Sequence, residues 1–167
     1  MKIGSTDKLL IGIVIGVIVL IAVAFVVVLM QPKPTYKSDD TVEGAMHNYL
    51  FALTQDDWAR AYTYLGSRLR GRPITQEDFK NQIQNRGYNF GREDTSTWQV
   101  GGTRAVGNHT SVTVTRTVFY SNSLFGSSQS QQSHDFTWRQ EQGAWKIVSA
   151  DSYWFWMECW EQAKGCN

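Results

Sequence analysis

The chain has 167 residues, and its 16 Lys and Arg against 15 Asp and Glu give a formal net charge of +1. That length allows one ordinary domain with an appendage. The near-zero charge argues against a nucleic-acid binder, and the 42% hydrophobic content argues against a disordered chain. Two cysteines are too few for a disulfide framework or a four-ligand zinc site.

The first element along the chain is an apolar run at residues 9–30, after a leader at residues 1–8. The run carries no charged residue and no proline. As a helix it would span roughly 33 Å, enough for the hydrocarbon core of a bilayer. It is apolar all round, unlike a core helix, and it is longer than the apolar region of a cleavable signal peptide. We therefore predict an uncleaved signal anchor that crosses the membrane once.

Two features of the anchor bear on its packing and orientation. Gly12 and Gly16 form a G-x-x-x-G pair that would let a second helix approach closely, although such a pair also arises by chance. Lysines flank both ends of the run, so the positive-inside bias is slight. The short leader favours a cytoplasmic N-terminus at a plasma (inner) membrane, with the rest of the chain outside the cytoplasm.

Residues 31–38 form a short linker whose two prolines disfavour helix and hold the chain extended. We place a globular domain at residues 39–167, and its first half is helical. Asp40 and Glu43 have capping-box spacing at the start of a helix. A second helix is predicted from about Gln55 to Leu65. A third begins at a Thr75 and Asp78 capping box and ends at Gly87.

The second half of the domain has the texture of strands. Residues 95–101 are β-rich, the Gly101–Gly102 pair is interpreted as a turn, and residues 111–120 alternate valine with threonine. Residues 121–132 are predicted to form a polar loop. Strands at 134–140 and 144–150 are joined by a turn at 141–143. Helices followed by an antiparallel meander indicate the α+β class.

Two segments carry a resemblance to a known family. The pattern D-x-x-x-A-Y-x-x-L at Asp57–Leu65 and the strand G-A-W-K-I-V at Gly143–Val148 resemble the NTF2-like (cystatin-like α+β) superfamily. The resemblance covers about residues 38–153 and is closest in style to membrane-anchored bacterial members. It implies about three helices packed on a curved antiparallel sheet that forms a cone. The fold hosts enzymes, binders and scaffolds, so the resemblance implies no single activity.

The inner face of the cone is where acid–base groups would be sought, and the candidates are few. Arg116 falls on an otherwise apolar strand face, where it could bind an anionic ligand or lie at the rim with its head in water. His134, also a candidate for the cone mouth, is adjacent to Asp135, so on a strand the two point to opposite faces. The sequence shows no metal-ligand spacing and no phosphate loop. We predict no catalytic, cofactor-binding or metal-binding residue.

Two further groups of charged residues have structural as well as functional interpretations. Asp56 and Asp57 lie in the first turn of a predicted helix, where the helix dipole favours carboxylates, which is preferred here to catalysis. Arg68, Arg70 and Arg72 form a small basic cluster. It could face lipid headgroups or an acidic partner, or it could be a solvated loop.

The C-terminal segment is rich in aromatic residues. They either close the base of the cone as core or form a surface for a partner or the membrane interface: Tyr153, Trp154, Phe155, Trp156 and Trp160. Cys159 and Cys166 follow, and Gly165 lets the chain turn just before the second of them. Outside the cytoplasm we predict a disulfide between the two, the alternative being free thiols.

The leading hypothesis is a non-enzymatic, single-pass accessory or scaffold subunit that docks on a larger membrane protein assembly. Its partners would be the bilayer and other membrane-protein subunits, with no nucleic acid and no cofactor; an electron-transfer complex of respiration or photosynthesis is one candidate assembly. The alternatives are a module that holds a small apolar or anionic ligand in the cone and, less favoured, a cone-type acid–base enzyme. A cone filled by its own tryptophans would favour the first hypothesis.

Overall fold

The computed structural model describes residues 5–30, 34–85, 96–123, 126–151 and 156–166. They fall into two compact units, Met1–Thr35 and Tyr36–Asn167. The predicted end of the third helix at Gly87 lies outside the described residues. So do three members of the aromatic segment, namely Tyr153, Trp154 and Phe155.

The first unit contains helix α1, Ser5–Met30. Its window Leu10–Val27 has a mean hydropathy of 3.4 and no buried residue. The helix is therefore long and apolar enough to span a membrane. A Cβ atom added at Gly12 or Gly16 would meet no atom within 4 Å, so the packing role of the glycine pair stays a prediction.

The second unit opens with the predicted helices, which are α2 (Val42–Thr54), α3 (Trp58–Thr63) and α4 (Gln76–Asn85). The capping box of α4 is confirmed, because Asp78 N donates to Thr75 Oγ1 at 3.1 Å and Thr75 N donates to Asp78 Oδ2 at 2.9 Å. The predicted cap of α2 is wrong by one residue. Thr41, not Asp40, accepts from Gly44 N, while Glu43 binds a threonine of the sheet instead.

Four antiparallel strands follow in the order β1-β2-β3-β4. They are β1 (Ser96–Val106), β2 (His109–Ser123), β3 (Gly126–Glu141) and β4 (Ala144–Ala150), with a short 3₁₀ turn at Glu158–Glu161. Helices packed on an antiparallel meander confirm the predicted α+β class.

Two local predictions for the sheet were wrong. Gly101 and Gly102 lie inside β1, where the register shifts between Val100 and Thr103, so they form a bulge and not a turn. Most of the predicted polar loop at 121–132 belongs to β2 and β3. Backbone pairing needs no apolar side chains, so a polar composition did not exclude strand there.

The predicted hairpin between β3 and β4 is confirmed, but its turn is one residue shorter than the predicted 141–143. Gln142 and Gly143 have φ values of 53° and 81°, and Glu141 pairs with Ala144 across them. Two central residues with positive φ are the mark of the tight turn that suits the twist of an antiparallel hairpin.

The core lies between the helices and the inner face of the sheet. The buried strand residues Val112, Phe136 and Trp138 share one cluster with Met46 and Leu50 of α2. The register places Val112 opposite Phe136, so β2 and β3 present their apolar residues to the same side.

The aromatic segment after β4 completes this core. Trp156 and Trp160 are only 1% and 0% exposed, so the interpretation of these two as a partner or membrane surface is wrong. Each indole N–H has a partner: Trp156 Nε1 donates to Glu161 and Trp160 Nε1 donates to Gln82, both at 2.8 Å. Burial of the two side chains is favoured because the rings leave water while both indole N–H groups keep a hydrogen-bond acceptor.

A disulfide joins Cys159 to Cys166 with a Cα–Cα distance of 5.1 Å. Gly165 has a φ of 63°, which turns the chain just before the second cysteine. Gly71 packs directly on this loop, and its N–H donates to Trp160 O at 2.9 Å. The closed loop therefore holds the segment that follows α3.

The segment Tyr36–Asp39, here called the strap, is fixed on the domain by one buried amide. Asn48 is 0% exposed. It bonds both backbone polar groups of Lys37 at 2.7 and 2.8 Å and donates to Asp39 Oδ1 at 2.7 Å. The compact unit accordingly begins at Tyr36, three residues before the predicted domain boundary.

Candidate functional site

Arg116 and His134, the two candidates from the sequence, lie on the inner face of the sheet. Arg116 is only 2% exposed and pairs in register with Trp98 and Gln132, so the rim position with a hydrated head is wrong. His134 pairs with Val114, and its Nδ1 lies 2.8 Å from Asp151 O. Both side chains belong to the face that also carries the apolar core.

The adjacent carboxylate does not join them. Asp135 points to the opposite face, as predicted, and accepts a 2.6 Å hydrogen bond from Thr113 Oγ1. His134 and Asp135 therefore form no acid–base dyad.

Asp57 acts as the cap of a helix. Its Oδ1 accepts from Arg60 N at 3.1 Å at the start of α3, and its Oδ2 accepts from Tyr36 OH at 2.7 Å. Burial and the hydrogen bond to Asp57 raise the pKa of Tyr36 to about 12. The carboxylate thus fixes α3 to the strap, which matches the structural interpretation of this residue.

A separate group of charged side chains surrounds a cleft of about 570 Å³ beside the β3–β4 hairpin. We call it the basic cleft. Four cations and a single carboxylate line it, namely Arg68, Arg72, Arg139, Lys146 and Glu141. Two of the cations belong to the predicted basic cluster of the loop after α3.

The loop after α3 is held in place by β4. Gly66 N donates to Ile147 O and Ile147 N donates to Tyr64 O, both at 2.8 Å. A Cβ atom on Gly66 would lie 2.8 Å from Ile147 O, so only glycine fits this close approach. The pairing brings Ser67 and Arg68 alongside the hairpin.

Glu141 supplies the carboxylate that lines the basic cleft. It binds Arg139, and it accepts from Ser67 N at 3.0 Å and Ser67 Oγ at 2.7 Å. Burial by itself would raise the pKa of Glu141, but Arg139 and the two hydrogen bonds from Ser67 lower it to about 2. The negative charge of Glu141 is therefore stabilised by Arg139 and Ser67.

Among the described residues, the other three cations have no such carboxylate. The Arg72 guanidinium lies over the Tyr62 ring, 4.5 Å from its centroid, and Lys146 Nζ donates to Thr63 O. Burial lowers the pKa of Lys146, against the opposing attraction of Glu141. In the part of the chain that the structure describes, no carboxylate forms an ion pair with Arg68, Arg72 or Lys146.

Sequence reasoning missed Arg139, Glu141 and Lys146. The predicted turn at 141–143 would place Arg139 opposite Trp145. The observed turn is one residue shorter, and its register places Arg139 directly opposite Lys146. Two like charges across a strand pair are unfavourable, which marks the position as unusual.

Comparisons with known proteins bear on the fold alone. No protein-family model matches the chain, and neither does any curated protein. Similar solved structures include a SEC-C motif-containing protein from Rhodopseudomonas palustris (13% identity, 70% of this chain and 81% of that one, TM-score 0.45). An NTF-2 like protein of unknown function from Shewanella oneidensis has 9% identity over 67% and 94%, with a TM-score of 0.44. The beta subunit of the benzoate 1,2-dioxygenase from Burkholderia mallei has 12% identity over 70% and 89%, with a TM-score of 0.41.

Proposed function

We propose that the protein is a single-pass, membrane-anchored accessory subunit whose NTF2-like domain lies outside the cytoplasm and docks on a larger membrane protein assembly. The observation that carries this proposal is the packing of the fold's interior. Trp138, Trp156 and Trp160 are fully buried in one cluster with the apolar face of α2. A domain whose interior is occupied by its own side chains interacts with other molecules through its surface.

Helix α1 supports the anchoring half of the proposal. Its apolar side chains are exposed all along the window Leu10–Val27. Each square ångström of apolar surface left in water costs about 25 cal/mol, so a bilayer is the environment that suits this helix. An electron-transfer complex remains one candidate assembly.

A ligand in the cone is the second candidate function, and burial of Arg116 on the inner face favours it. A guanidinium taken out of water is a suitable partner for an anion. Because its own side chains fill the core, docking is better supported than ligand binding in the cone. An acid–base enzyme is the third and least supported candidate. His134 Nδ1 faces a backbone carbonyl, and Asp135 lies on the opposite face of the sheet.

The docking proposal is tested by extracting the protein from its native membranes in a mild detergent. Native electrophoresis should place the 19.0 kDa chain in a larger band, and mass spectrometry should find membrane subunits there at fixed stoichiometry. Migration as a lone chain, with no subunit at fixed ratio, would contradict docking.

A matched pair of helix variants separates packing from simple insertion. The double variant Gly12→Leu/Gly16→Leu closes the small-residue face and should release the chain from the larger band. Val14→Leu, on the opposite side of the helix, should leave the band unchanged. If both variants stayed in the larger band, or both left it, the glycine pair would have no specific role in docking.

A further inference from the structure

We infer that the basic cleft binds a phosphoryl group, carried either by a lipid headgroup or by a soluble phosphate compound. This inference goes beyond the docking function and does not depend on it. It rests on the charges, the donors and the size of the cleft.

The charges leave a clear excess. Glu141 is bound to Arg139 and Ser67, which balances one cation. Arg68, Arg72 and Lys146 stay without an ion pair among the residues that the structure describes. A carboxylate ligand would bring one negative charge, whereas a phosphate monoester brings close to two and three acceptor oxygens. The phosphoryl group therefore matches this excess better.

The register of the hairpin points the same way. Arg139 and Lys146 are direct cross-strand partners, so two positive charges lie side by side on the sheet. Like charges in this position destabilise a hairpin, and Glu141 offsets only the charge of Arg139. An anion placed between the strand cations and the loop cations would turn this repulsion into attraction.

The neutral lining and the volume of the cleft also suit a ligand of small-molecule size. Amide side chains that can donate hydrogen bonds are present at Asn108, Gln140 and Gln142. The volume of about 570 Å³ falls within the range of about 300–1,000 Å³ that is usual for small-molecule sites. The cleft therefore has space for the phosphoryl group and for part of the molecule that carries it.

The inference is tested with the full chain in dodecyl maltoside micelles. The unfolding temperature is measured against inorganic phosphate, with chloride keeping the ionic strength constant. We expect a saturable rise, because a ligand that binds only the folded state stabilises it. The triple variant Arg68→Gln/Arg72→Gln/Lys146→Gln should weaken the apparent affinity at least tenfold. Arg104→Gln removes one positive charge from an exposed position on β1, which matches the single variant Arg68→Gln, and it should change the affinity less than twofold.

Two kinds of nanodisc distinguish the sources of the phosphoryl group. A rise in phosphatidylcholine discs that contain phosphatidic acid, absent from pure phosphatidylcholine discs and lost in the triple variant, assigns a lipid headgroup. A rise with inorganic phosphate alone assigns a soluble compound. Should the triple variant fail to fold, the single variant Arg68→Gln replaces it, since Arg68 is exposed. The absence of any saturable rise, or an equal rise in wild type and cleft variants, would overturn the inference.

Discussion

At Gly71 a second stretch of backbone occupies the space where a side chain would lie. A Cβ atom there would come within 2.2 Å of Cys159 O and 2.5 Å of Gln162 O. Both neighbours are backbone atoms of the disulfide loop, so neither can move away like the end of a flexible side chain. One residue thus lets the loop after α3 and the C-terminal loop touch.

Gly71→Ala should therefore destabilise the domain by about 1–3 kcal/mol or more, as overpacking does in a rigid core. The measurement is the urea midpoint of the full chain in detergent micelles. Gly102→Ala is the matched control, because a Cβ atom there would meet no atom within 4 Å. Similar midpoints for the two variants would mean that the close approach at Gly71 does not exist.

The pKa of Glu141 predicts how stability depends on pH. Its folded value of about 2 lies below the ordinary 4.5, so the stabilisation is complete above pH 4.5 and is lost as the pH falls toward 2. Glu141→Gln should cost roughly 1–3 kcal/mol at pH 7, and this difference should shrink across the same window. Urea midpoints measured from pH 7 to pH 2 check it.

Glu77→Gln removes an exposed carboxylate that lies 3.5 Å from Lys80 on the surface of α4. It should change stability by less than about 0.5 kcal/mol at any of these pH values. A Glu141→Gln effect that is independent of pH would show that the charge of Glu141 does not contribute.

At the scale of elements, Asn48 of α2 fixes the strap to the domain. It satisfies the N–H and C=O groups of Lys37 while itself fully buried. Asn48→Ala should cost about 2–4 kcal/mol, because it removes the three hydrogen bonds between the buried amide and the strap and opens a space in the interior.

Hydrogen exchange measures this effect locally, and the Lys37 amide should lose its protection in Asn48→Ala. The control is Asn81→Ala on the exposed surface of α4, which should leave that amide protected. Equal exchange in both variants would contradict the role given to Asn48.

The C-terminal loop carries a second prediction for an element. In freshly isolated membranes Cys159 and Cys166 should resist iodoacetamide until a reductant is added, and intact mass should then show two labels. Reduction should lower stability by roughly 2–3 kcal/mol, since the short loop restricts the unfolded chain. Labelling of both thiols without reductant would contradict the disulfide and weaken the case for an extracytoplasmic location.

The elements that the sequence predicted well are those with a local chemical signature. The Thr75–Asp78 box and the turn predicted at 141–143 each depend on neighbouring residues. The box is present as predicted, and the turn is one residue shorter. The polar halves of β2 and β3 have no such signature. Their pairing depends on a partner strand that composition does not reveal.

At the scale of the whole molecule, the α+β order of helices and meander followed from hydrophobic periodicity together with capping and turn residues. The basic cleft could not be predicted from the sequence. Arg68 and Arg72 could be singled out as neighbours in the sequence, but Arg139 and Lys146 join them only through strand register. Burial of Trp156 and Trp160 likewise depended on what the tail packs against, which periodicity cannot show.

The central claim, that the globular domain acts outside the cytoplasm from a membrane anchor, is tested most directly by protease accessibility. A specific cleavage site and an epitope tag are appended after Asn167, and the protease is added to intact spheroplasts. We expect the tag to be lost from intact spheroplasts while a cytoplasmic control protein survives. Retention of the tag in intact spheroplasts, with loss only after lysis, would contradict an extracytoplasmic domain.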